Sequence, residues 1–120
     1  MPFTITRETG CLRLNYEGEV TSGEILDCLT KTLALAGKTG CFRILADCSR
    51  MTGGHSRMVL DFVAAELAGK VAPAGFREAI LLPAADSAGY AEHYEETARE
   101  FGFEVRLFRD EAGALEWLLK

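Results

Sequence analysis

The chain has 120 residues, of which 48% are hydrophobic and 26% charged, with a formal net charge of −5. That length suits one domain spanning residues 1–120, able to bury roughly two thirds of its unfolded surface without staples. The acidic balance argues against a bulk nucleic-acid binder, which needs a basic face, and no apolar run approaches the ~20 residues of a membrane span.

The opening residues alternate, Phe3 and Ile5 against Thr4 and Thr6. After Glu8-Thr9-Gly10 the alternation resumes, Leu12, Leu14 and Tyr16 against Arg13 and Asn15, which predicts a β-hairpin with one wet face. Thr21 with Glu24 three residues on has capping-box spacing. Ile25, Leu26, Leu29, Leu33 and Ala36 follow at helical spacing, with Gly37 as the expected stop. Phe42 to Asp47 is short and mostly apolar, a central strand. Cys48 to His55 is expected as a turn, and Val59, Phe62, Val63 and Leu67 mark a second helix. Ala79 to Leu82 is another buried strand, stopped by Pro83. Asp86-Ser87 can cap a third helix with Ala91, Tyr94, Ala98 and Phe101 on one face and Gly102 at its end. Glu104 to Phe108 is a fifth strand, and Asp110 caps a last helix carrying Ala114, Leu115 and Leu118. The order ββαβαβαβα predicts an α/β domain with a mixed sheet of about five strands, four helices and an N-terminal antiparallel hairpin.

The stretch from Asp47 to Arg57 leaves a central strand and enters a helix, the place where open α/β sheets bind ligands. Gly53 and Gly54 permit close backbone approach, and Arg50 and Arg57 would complement a phosphate or carboxylate. A glycine-softened loop with solvated arginines is the plainer explanation, and the Gly-Lys-Ser/Thr ending of a P-loop is absent. Ser56 is a natural helix cap and also an exposed hydroxyl open to phosphorylation, which would add about −1.5 to −2 charge. His55 beside Ser56 is a poor arrangement for a base and its nucleophile, and no G-x-S-x-G elbow exists. Asp47 reads as an organiser of the following turn rather than a phosphoacceptor, because strand one offers only Glu8 as a second carboxylate for magnesium. His93 reads as a solvated face residue. Tyr90, Tyr94, Phe101 and Phe103 are core residues first and the wall of a hydrophobic pocket second, a pocket whose residues would be Phe62, Tyr90 and Tyr94.

Cys11, Cys28, Cys41 and Cys48 form no C-x-x-C pair and have no histidine at zinc-ligand spacing, so four reduced thiols are expected, with no metal and no cofactor. The N-terminus shows no signal-peptide pattern, and a cytoplasmic location is the expectation. A sheet edge at the hairpin, with Met51 and Met58 as exposed apolar residues, would offer a route to a homodimer.

The chain resembles the SpoIIAA-like branch of the STAS superfamily, domains typified by anti-sigma-factor antagonists. The resemblance rests on Gly18-Glu19-Val20-Thr21 before the first helix, on Arg43-Ile44-Leu45-Ala46-Asp47, and on Asp47-x-Ser49-x-Met51. The ending Val105-Arg106-Leu107-Phe108-Arg109-Asp110 with Ala114-Leu115-x-Trp117-Leu118 resembles the SpoIIAA-like and SEC14-like subgroup. The resemblance implies a non-enzymatic regulatory or binding module with a protein partner, and a phospho-switch at the start of the second helix. Ser56 matches the phosphoacceptor serine, while His55 replaces the aspartate of the Asp-Ser-Ser-Gly-type pattern. The SEC14-like comparison implies an alternative, a carrier of a small lipid or anionic ligand.

Overall fold

A computed structural model describes residues 3–53, 63, 65, 76–82 and 90–120. Strands β1 (Phe3–Glu8) and β2 (Cys11–Glu19) pair antiparallel from Phe3–Tyr16 to Glu8–Cys11. The two-residue loop between them needs Gly10, whose φ is +83°.

Helix α1 (Ser22–Thr39) begins with the expected capping box. Glu24 N donates to Thr21 Oγ1 at 3.2 Å, and Thr21 N donates to Glu24 Oε1 at 2.8 Å, so two orphan donors are satisfied. The helix does not stop at Gly37. It runs on to Thr39, and Gly40, with φ +74°, is the residue that ends it by donating to Ala36 O at 2.8 Å. A glycine can be carried inside a helix for about 1 kcal/mol, whereas only the left-handed conformation at Gly40 turns the chain out of it.

Strand β3 (Arg43–Gly53) is nearly twice as long as expected. Cys48 to Gly53, expected as a turn, continue the strand along β2. Strand β4 (Arg77–Leu81) begins two residues before the predicted start. Helix α2 (Tyr90–Phe101), strand β5 (Glu104–Phe108) and helix α3 (Glu111–Leu118) complete the described elements. The predicted second helix and the Asp86-Ser87 cap lie outside the described residues, apart from Val63 and Ala65, which are helical. Three helices, rather than the four predicted, therefore have described bounds.

The five strands lie in the order β1-β2-β3-β4-β5, with the hairpin antiparallel and every later pair parallel. Helices α1 and α2, with Val63, cover one face through Ile25, Cys28, Ala36, Tyr94 and Ala98, which pack on Leu12, Leu14, Ile44, Ala46 and Ile80. Helix α3 covers the other face, where Ala114 and Leu118 meet Cys11, Leu45, Ala79 and Leu81. The hairpin's second face is thus not simply wet: Cys11 is 1% exposed there.

Two aromatic and apolar expectations change. Phe101 stands 45% exposed at the end of α2, not on its buried face. Phe103, two residues on, enters the core instead, because Gly102 N donates to Arg99 O and Phe103 N to Ala98 O, the paired bonds of a Schellman turn. Met51 is buried on the bulged tail of β3, not exposed. All four cysteines are free thiols, with Cys41 half-buried and the others buried. No helix among the described residues is long and apolar enough to cross a membrane.

Candidate functional site

The sheet ladder changes character at Asp47. Up to that residue β3 pairs with both neighbours, Asn15 on β2 and Leu81 on β4. Beyond it, among the described residues, β3 pairs with β2 alone, and the pairing slips twice. Asn15 to Glu17 spans two steps while Asp47 to Arg50 spans three, and Gly18 to Glu19 spans one while Met51 to Gly53 spans two. Each slip is a β-bulge with the extra residue on β3. Bulges are rare between parallel strands, bend the strand that carries them, and gather beside functional sites.

The root of this bent tail is fixed by charge. Arg13 Nη2 donates to Asp47 Oδ2 at 2.7 Å and to Glu111 Oε1 at 2.6 Å, while Arg13 Nε donates to Asn15 Oδ1 at 2.9 Å. Both the Arg13 and Asp47 side chains are only 17% exposed. Ser49 N and Ser49 Oγ donate to the second Asp47 oxygen at 3.0 Å and 2.5 Å. Partial burial alone would raise the Asp47 pKa, but the Ser49 and Arg13 donors outweigh it and hold the carboxyl below its ordinary value. The hydrogen bond from Arg13 to Glu111 leads the causes that push the Arg13 pKa further up, so the pair stays charged. An open groove of about 380 Å³ runs over this network between Thr4, Asn15, Ser49 and Arg50.

Asp47 accepts from Ser49 as a turn organiser would, but both residues lie within β3 and no turn follows there. Arg50 lies exposed on the bulged tail opposite Glu17, and Gly53 is the last residue of β3, paired with Glu19. Gly54, His55, Ser56, Arg57 and Phe62 lie outside the described residues. Arg13 and Glu111 belong to this candidate site, and sequence reasoning missed both. Nothing local in the sequence pairs the two: Ala114 and Leu118 cluster with Cys11, Leu45, Ala79 and Leu81, and that packing brings Glu111 to Arg13.

A second constellation lies inside the other layer. Glu78 of β4 is 8% exposed among apolar neighbours and accepts from Tyr94 Oη at 2.7 Å. Desolvation raises its pKa from the usual 4.5 to about 7, against the opposing hydrogen bond from Tyr94. Burial likewise pushes the Tyr16 and Tyr94 phenols and the Cys28 thiol up. Beside Glu78 lies a cavity of about 40 Å³, walled by Leu14, Ile25, Ile44, Val63 and Phe76 and by the polar groups of Tyr16, Thr32 and Tyr94. Tyr94 is a buried core residue that lines this small cavity, while only the backbone of Tyr90 falls among the described residues. Pockets that hold drug-sized ligands run to ~300–1,000 Å³, and this one has room for water-sized groups. Glu78 was missed too, although a lone carboxylate at the same strand parity as Ile80 in an apolar run was its signature.

No known family model matches the sequence, and no curated protein matches it. Two solved structures share its fold over nearly the whole chain. One is an uncharacterised protein of the DUF3478 family with a SpoIIAA-like fold from Shewanella loihica PV-4. It has a TM-score of 0.58 and 22% identity, and the match covers 97% of this chain and 91% of that one. The other is the anti-sigma-factor antagonist SpoIIAA in its unphosphorylated form. It has a TM-score of 0.65 and 12% identity, covering 96% of both chains. At these identities the likeness is one of fold, and the chain has the SpoIIAA-like fold that its resemblance implied, with the mixed five-stranded sheet that its element order predicted.

Proposed function

We propose that the domain is a non-enzymatic regulatory module that docks a protein partner with the bulged tail of β3 and the residues following it. The observation that supports this best is the Arg13–Asp47 pair. It fixes the root of the tail between a half-buried cation and the Ser49 donors, so the exposed residues of the tail, Ser49, Arg50 and Thr52, stand on a braced base. Rigid roots under exposed, variable segments are how folds present recognition surfaces. The groove and the exposed Arg50 add polar groups of both signs, suited to a protein rim rather than to a buried small molecule.

Ser56 is the hydroxyl through which such a surface would be switched. A protein of the same fold is described as an antagonist in its unphosphorylated form. A phosphate at Ser56 would add charge next to Arg57 and change what the surface accepts. The test is to incubate the protein with ATP and a cell extract, map phosphate by tandem mass spectrometry, and compare partner retention across variants. Phosphate on Ser56, lost in Ser56→Ala, is expected. A protein retained by the wild type and by Arg99→Glu, but lost from Ser56→Asp and Arg50→Glu, is expected with it. A silent Ser56, with retention unaffected by the last two variants, would overturn the reading.

A further inference from the structure

We infer that β5 is a self-complementary sheet edge, through which two copies of this chain join antiparallel into one continuous sheet. The strand is last in the order β1-β2-β3-β4-β5 and pairs parallel with β4, and among the described residues no strand lies on its outer side. One bond fixes how its main chain is turned: Leu82 N donates to Phe108 O at 2.9 Å. Along a strand, each residue points its N–H and C=O to one side and the next residue points them to the other. The register with β4 is unbroken from Glu104 to Phe108. Glu104, Arg106 and Phe108 therefore bond towards β4, and Val105 and Leu107 turn their N–H and C=O outward. Such groups are a template for a further strand. The space before them is open, because a groove of about 220 Å³ follows the edge from Glu95 and Arg99 of α2 to Trp117 of α3.

Charge decides the occupant. Glu104 and Arg106 lie two residues apart, so they share a face of the sheet, and both are exposed. In an antiparallel twofold pair centred on Val105, that residue faces its own copy as a hydrogen-bonded pair. Glu104 then faces Arg106 of the second copy, and Arg106 faces Glu104 of the second copy, both at the positions where opposed side chains come closest. The half-buried Leu107 comes opposite Phe103 of the second copy. A twofold axis makes each of these contacts twice, as isologous interfaces do. Within one copy, Glu104 meets Arg77 at 3.5 Å with its side chain still 62% exposed. Arg106 stands 5.8 Å from the Trp117 ring, and among the described residues no carboxylate pairs with it. The other edge of the sheet lacks this pattern. Arg7 and Glu8 of β1 are adjacent and so point to opposite faces, and no antiparallel twofold sets one against the other. An edge of one charge sign repels its own copy; β5 carries both signs at the spacing that attracts one.

Sedimentation of the whole chain over a range of concentrations tests this, at physiological ionic strength, where repulsion between two copies of net charge −5 is screened. The wild type is expected to pass from monomer to dimer as concentration rises. Arg106→Glu sets acid against acid at both symmetric positions and should weaken the dimer about tenfold or more, whereas Glu104→Arg combined with Arg106→Glu restores opposite charges and should recover most of the loss. Thr6→Lys, on the β1 edge, should change nothing. Amide exchange in the unsubstituted chain reads the same edge without any variant. Protection at Val105 and Leu107 should rise with concentration, while Arg106, bonded to β4 in either state, holds constant. A chain that stays monomeric, a dimer indifferent to Arg106→Glu or broken by Thr6→Lys, or a folded double variant that does not recover association overturns the inference. So does exchange at Val105 and Leu107 that is independent of concentration.

Discussion

Arg13 is one guanidinium shared by two close carboxylates, with the Glu8 carboxyl 4.0 Å away as a third. The three contacts are not equal. Asp47 is as sheltered as Arg13 itself, whereas the Glu111 side chain is 50% exposed and screened by water. Replacing Arg13 by Met keeps its stem but leaves Asp47 without its cation. The expected loss is about 2 kcal/mol by denaturant titration at neutral pH. Glu111→Gln is expected to cost less than about 1 kcal/mol. Acid separates the two variants further. The lowered pKa of Asp47 supports the fold above its ordinary 3.8 and is lost as pH falls through the folded value, so the wild type and Arg13→Met should converge in strong acid. The sequence does not reveal the partners of Arg13 or Glu78: Glu78 shares strand parity with Ile80, but neither residue's strand names what it meets. Their importance comes from what lies across the sheet, and a single strand does not record that.

At the scale of elements, two glycines three residues apart carry opposite meanings. Gly37 lies within α1, and a Cβ there would meet nothing within 4 Å. Gly40 has equally open space but φ +74°. Gly37→Ala should therefore stabilise the domain by up to about 1 kcal/mol, and Gly40→Ala should destabilise it by a similar amount. Thermal unfolding of the two variants reads the sign directly, and a shared sign would contradict the helix end assigned to Gly40. Elements built from local signals were legible in advance: the hairpin, the Thr21–Glu24 box, the Asp110 cap bonding Gly113 N at 2.7 Å, and β5. The tail of β3 was not. Ser49, Arg50, Thr52 and Gly53 read as turn formers, and what makes them a strand is a partner more than thirty residues earlier in the chain, Glu17 to Glu19. Gly37 misled for the related reason that packing along α1 outweighs one glycine's propensity.

At the scale of the whole molecule, the described residues form two separate cores of unequal size on one sheet. The larger lies under α1, α2 and Val63, and the smaller is sealed by the eight residues of α3. Leu118 is fully buried in the smaller one. Leu118→Ala is expected to cost about 2–5 kcal/mol, and much of it should appear as local opening rather than global unfolding. Thiol labelling reads the difference: Cys11, beneath α3, should react faster in the variant, while Cys28 and Cys48, in the other core, keep the wild-type rate. Labelling of all three in step would show one cooperative core instead.

The meeting of Gly10 with Leu119, where an added Cβ would come within 3.0 Å of Leu119 Cδ2, has a consequence in time. Within this domain the hairpin is synthesised before the other elements, and Cys11 emerges long before the α3 residues that cover it. The larger core can close once α1, the later strands and α2 exist, but the smaller one waits for residues 111–118. A nascent chain thus passes through a stage with one sheet face packed and the other bare, carrying Cys11, Leu45, Ala79 and Leu81 in the open. The short last helix is the cap that ends this vulnerable interval, and the turn at Gly10 is where it finds its seat.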